Sequence, residues 1–256
     1  MKFEAKIITV VVIGIMLLWL TPSANAISIL TLDDLSTAFV DVIVVDDSDG
    51  GIGTSTPKGN SNVADGFSGD GLISFVGPVG GFSINITTGI SKPIIGNSQE
   101  AAIDLNSVTI SGEGTGTLEI MLTDTDFLLT NQNGQRLTVS NLIGGTTGGT
   151  VSAQGILDFG NNPFGIGGGP VFSTPFQGPF GPGAFSGTVK TATSPIGPNP
   201  FSLTETVTVV HTQIGQITSF DKELKAVPEP SSLMLLAPGL IGLFGFNFFR
   251  WKKNSY

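Results

Sequence analysis

The sequence predicts an all-β fold, a sandwich or jelly-roll-like domain of about 8–11 strands over residues 27–226. Three observations lead there. First, short runs alternate apolar and polar residues with a period of two: Leu118, Ile120 and Leu122 fall on one face, while Thr117, Glu119 and Thr123 fall on the other. Second, Gly, Asn, Asp and Pro separate the runs, and these residues end strands and set turns. Third, no apolar stripe recurs at helical spacing for more than two turns inside the domain.

In chain order the predicted strands are 27–32, 38–45, 72–76, 82–88, 102–111, 117–123, 137–143, 151–159, 184–193, 201–212 and 216–224. Ser83, Asn85 and Thr87 alternate with Ile84 and Ile86, as a half-buried strand requires. Asp41-Val42-Ile43-Val44-Val45 lacks that alternation and reads as a central strand buried on both faces. Residues 160–187 hold nine Gly, five Pro, five Phe and no charge, which predicts a long apolar loop. Its pairs Pro163-Phe164, Pro175-Phe176 and Pro179-Phe180 are rigid bends carrying rings. The favoured expectation is a loop folded back over an open end of the sandwich, the alternative an aromatic ligand platform.

Charge excludes one class of partner. Residues 27–226 carry 6 Lys+Arg against 18 Asp+Glu, so the domain repels phosphate and is no nucleic-acid binder. The chain has no Cys and a single His, which removes disulfides, thiolate metal sites and a zinc centre. A Ser-His-Asp triad would need His211, which ends a Thr-Val-Thr-Val-Val run with no G-x-S-x-G elbow anywhere, and it reads as an ordinary strand-end residue.

Carboxylates leave two openings. Asp46-Asp47-Ser48-Asp49-Gly50 packs three acids into a turn, and oxygen ligands at alternating positions suit calcium, so Asp47 and Asp49 are the candidate metal ligands and calcium the candidate cofactor. A solvated acidic loop explains the same residues. A glycosidase would draw two converging carboxylates from Glu119, Asp124, Asp126 and Glu205, but their spacing does not show that any pair converges. No catalytic residue is assigned, and the expectation is a protein that is not an enzyme.

Both ends carry targeting signals. Lys2 and Lys6 precede an apolar run over 7–20, and Ala24-Asn25-Ala26 supplies a small-residue cleavage site at Ala24 and Ala26, so residues 1–26 form a signal peptide. Fourteen helical residues span about 21 Å against a hydrocarbon core of about 30 Å. At the other end, Pro228-Glu229-Pro230 precedes an apolar run over 233–249, predicted as a transmembrane helix, and then the basic cluster Arg250, Lys252 and Lys253. The two prolines are expected to keep the segment before the membrane out of any sheet ladder.

The order of those three parts within residues 227–256 resembles the PEP-CTERM sorting signal. The resemblance implies recognition by an exosortase, a membrane-held precursor, and delivery to the cell envelope or extracellular matrix of a Gram-negative bacterium that makes extracellular polysaccharide. The expected partners are therefore the exosortase, the membrane through the C-terminal helix, and extracellular polysaccharide. The expected role is that of a biofilm-associated surface protein, structural or adhesive, and the alternative is a secreted carbohydrate- or calcium-binding module.

Overall fold

The computed structural model describes residues 28–36, 40–46, 70–130, 134–166, 169–195 and 200–229. The predicted signal peptide, the helix over 233–249 with its basic cluster, Pro230, and Asp47 and Asp49 lie outside the described residues. Among the described residues no helix is long and apolar enough to cross a membrane.

Thirteen strands are described: β1 (Ser28–Asp34), β2 (Val42–Asp46), β3 (Leu72–Val79), β4 (Phe82–Ile90), β5 (Ala101–Gly112), β6 (Gly116–Phe127), β7 (Leu137–Thr147), β8 (Thr150–Asp158), β9 (Val171–Ser173), β10 (Gln177–Phe180), β11 (Gly183–Ala192), β12 (Phe201–His211) and β13 (Ile217–Pro228). They form two antiparallel sheets. One runs β10-β8-β12-β6-β1-β2, with β9 also on β8, and the other runs β11-β7-β13-β5-β4-β3. The chain crosses repeatedly between them. Two of these crossings take only two residues: β10 to β11 through Gly181 and Pro182, and β7 to β8 through Gly148 and Gly149, where the Gly149 amide donates to Thr147 Oγ1 at 3.0 Å.

The inward-facing halves of the alternating strands make the core. Leu30, Leu32, Ile120, Leu122, Val207 and Val209 come from the first sheet, and Ile84, Ile86, Ile103, Leu105, Val139 and Leu224 from the second. Removing these branched chains from water is the main favourable contribution to folding.

Two expectations are corrected. β2 is not central: among the described residues it pairs with β1 alone, and Val42, Val44 and Asp46 are buried while Ile43 and Val45 are half-buried. An edge strand can carry apolar residues on both faces when its outer face is partly covered. Residues 160–187 are not one loop either. They contain a 3₁₀ turn at Pro163–Gly165, β9, β10 and the start of β11. β9 and β10 pair with β8 of the first sheet and β11 with β7 of the second, so the segment closes one side of the sandwich. Phe180 and Phe185 stack at 5.1 Å and, with Phe172, pack against the core. Phe176, at 59% exposed, is the ring that remains outside. Thr174 fastens the crossing, its hydroxyl accepting the Gly155 amide at 2.9 Å and the Asn141 side-chain amide at 3.2 Å.

Candidate functional site

β13 organises the parts of the molecule that bear on function. It lies between β5 and β7, and its pairing with β5 ends at Ala226 opposite Ala101, whereas pairing with β7 continues to Pro228 opposite Leu137. The Glu229 amide then donates to the Arg136 carbonyl at 2.9 Å. The first two residues of Pro228-Glu229-Pro230 therefore continue the sheet, contrary to the expectation that the prolines keep this segment out of a ladder. Strand geometry explains it. Because Glu229 faces β7, the neighbouring Pro228 nitrogen points to the other side, where β5 has already ended and no donor is needed.

On the outer face of the second sheet β13 also floors an open cavity of about 400 Å³, bounded by Asp104 and Asn106 of β5, Leu142 and Gly144 of β7, Ser186 of β11, and Asp221 and Glu223 of β13. The hollow follows from one residue. Gly144 stands between Ser186 and Asp221 in the register, and without a side chain it leaves a gap between them. A Cβ there would meet only the Phe185 carbonyl at 3.7 Å and Ser186 Cβ at 3.9 Å, so the space is open.

Two of the cavity's acids are already engaged. Glu223 pairs with Lys225 at 2.7 Å, and Asp221 accepts the Ser107 amide at 2.6 Å. Asp104 is pushed up to about 6, first by burial and then by Glu223 and Asp221. A carboxyl raised in this way holds its proton more tightly folded than unfolded, so protonation stabilises the fold. The melting temperature is expected to rise as pH falls from 7.5 to 5, with a component that sets in as pH passes below about 6 and that Asp104→Asn removes. Thermal melts of the two proteins across that range check it.

The carboxylates singled out in the sequence go to separate places. Asp124 is buried and ion-paired to Lys92 at 3.3 Å. Asp126 receives the Asn161 side-chain amide at 2.7 Å. Glu119 lies opposite Asp33 on β1 and β6, raised by burial and by that neighbour. Glu205 points into the core. Among the described residues no group of three or more His, Asp or Glu is arranged to hold a metal ion. His211 is a buried structural residue. Its Nε2 lies 2.9 Å from the Thr218 hydroxyl, its ring packs on Phe82 at 5.6 Å, and burial holds its pKa down.

The model of the PEP-CTERM protein-sorting motif matches residues 226–250. The chain carries a PEP-CTERM sorting motif. Its motif begins inside β13, so the folded domain and the sorting signal share a strand. A search of curated proteins finds no match to this chain. The solved structures that the chain is similar to include three. They are the enzymatically active domain of bacteriophage CBA120 tailspike protein 4 (14% identity, TM-score 0.26, 56% of this chain and 19% of that one), TmCBM61 in complex with β-1,4-galactotriose (11%, 0.26, 58% and 90%), and a carbohydrate-binding module of the β-sandwich superfamily described for promiscuous specificity (15%, 0.26, 75% and 83%). The chain spans about a fifth of the tailspike domain's length. Likeness at these scores carries no argument about function.

Proposed function

We propose that this PEP-CTERM protein is an exported, non-catalytic component of the cell surface or extracellular matrix, processed by an exosortase and serving a structural or adhesive role. The observation that carries the reading is the sorting motif over 226–250 at the end of a folded β-sandwich. Glu229 is the one charge of Pro228-Glu229-Pro230, and its backbone is held by Arg136, which presents it at a defined place beside the domain. In a host with its exosortase, Glu229→Ala is expected to accumulate as a membrane-held, full-length precursor, while the wild type is shortened. Fractionation and immunoblotting of the two chains make the test, and equal shortening would remove the role given to Glu229.

A second reading, binding of extracellular polysaccharide, is favoured by the open hollow over Gly144. Carboxylates and an amide around a groove with one apolar wall match the vicinal hydroxyls and apolar face of a sugar. Gly144→Val would place a branched side chain in the hollow at a position where a Cβ meets no clash. The variant is expected to melt like the wild type and to lose at least tenfold in glycan affinity on an array. A wild type that retains no glycan would discard this reading while leaving the sorting reading intact.

A further inference from the structure

The interior of the sandwich holds a charged pair that nothing in the sorting or binding readings uses. Glu205 of β12 and Lys222 of β13 face each other between the two sheets, Nζ to Oε1 at 3.6 Å, with both side chains fully buried. Their cross-strand partners are apolar, and the carboxylate of Asp104 is the further charge that acts on both. Glu205 stands opposite Leu122 on one side and Gly155 on the other, and Lys222 stands opposite Leu105 and Ile143. Neither carboxylate oxygen nor the ammonium nitrogen has a hydrogen-bond partner. Three orphaned polar atoms at one point in a core are a costly arrangement, because an ion pair recovers its desolvation only when its remaining donors and acceptors are satisfied.

We infer that Lys222 and Glu205 condense after folding into an intramolecular amide that ties the two sheets together. The balance is simple. The lone pair of the neutral Nζ attacks the side-chain carbonyl carbon of the protonated Glu205, a C–N bond forms, and the C–OH bond breaks. One N–H proton leaves with the hydroxyl as water. No oxidant, reductant or co-reactant enters. The product has one N–H and one C=O where the ion pair had three donors and two charged oxygens, so it suits a dry interior better.

The surroundings favour the step. Burial pushes the carboxyl up to about 8 and the amine down, toward the neutral forms that react. The fold itself holds the two groups together, and such positioning replaces a high concentration of either partner. Water excluded from the site cannot reverse the reaction readily. The location matters as well, since the same strand that carries Lys222 runs on to the sorting motif at Pro228. A bond here passes any pull on the C-terminal end of β13 into β12 and the opposite sheet.

The test reads the wild-type chain directly. The full chain is produced in an exporting host, purified folded, then denatured and digested with trypsin for mass spectrometry. The amide blocks cleavage after Lys222, so residues 191–225 are expected as one peptide lighter than its sequence by one water, and further cleavage after Phe220 is expected to leave its halves joined. In Lys222→Arg the guanidinium does not react, so trypsin is expected to cut at 222 and to release residue 205 in a peptide of ordinary mass. Recovery of 191–222 from the folded wild type at its unmodified mass overturns the inference.

Discussion

Lys92→Ala is expected to lower the free energy of unfolding by ~3–5 kcal/mol, whereas Asp124→Ala costs visibly less. The asymmetry comes from burial. The Asp124 side chain is fully buried and the Lys92 side chain is 25% exposed, so removing the lysine strands a carboxylate in the interior, while removing the aspartate leaves an ammonium that can reach water. Lys92 also donates to the Thr125 carbonyl and sits 4.2 Å over the Phe127 ring, and both contacts go with it. Burial raises the pKa of Asp124 despite the opposing pull of Lys92, and the alanine variant removes that pull. A carboxyl raised in the fold stabilises on protonation, so the deficit is expected to be greatest at neutral pH and to shrink on acidification. Urea unfolding at pH 7.5 and pH 5 measures both effects. Equal losses from the two single variants at pH 7.5 would refute the assignment of the cost to Asp124. Domains of this kind are stable by roughly 5–15 kcal/mol, so the predicted loss is a large fraction of the total.

Phe201→Ala is expected to cost a further ~3–5 kcal/mol on its own, through the cavity it leaves. Phe201 is fully buried at the start of β12, with its ring 5.9 Å from that of Phe127 and 6.5 Å from that of Phe159. It joins the end of β6 to Phe159, the residue that follows β8, so the surrounding rings have little freedom to collapse into the gap. Phe201→Leu keeps most of the apolar volume and is expected to lose markedly less. Denaturant midpoints with an unchanged slope would attribute the loss to the native state, and an alanine variant as stable as the leucine variant would contradict it.

Much of this architecture is legible in the sequence because alternation is a local signal. Leu118, Ile120 and Leu122 announce β6, and the same period marks β4 and β12. β9 and β10 escape such a reading: Val171–Ser173 is too short for a period, and Gln177–Phe180 contains Gly178 and Pro179, so their place follows from tertiary pairing with β8 rather than from propensity. The misplacement of β2 has a related cause, since Ile43 and Val45 are apolar yet only half-buried. The sorting motif is a contiguous string and can be recognised without a fold. The hollow around Gly144 and the Glu205–Lys222 pair cannot, because each unites residues from strands distant in the chain, and a glycine signals an absent side chain only when its neighbours across the ladder are known.

Hydrogen bonding of the Glu229 amide to Arg136 leaves only Pro230, Ser231 and Ser232 before the apolar run that begins at Leu233. Three residues reach at most roughly 10 Å even when fully stretched. On the proposed reading, a precursor held in the membrane by that run would carry its folded cargo close to the lipid headgroups with almost no slack, and an exosortase cutting it would have to work in the narrow gap beneath the sandwich or first peel back the end of its last strand.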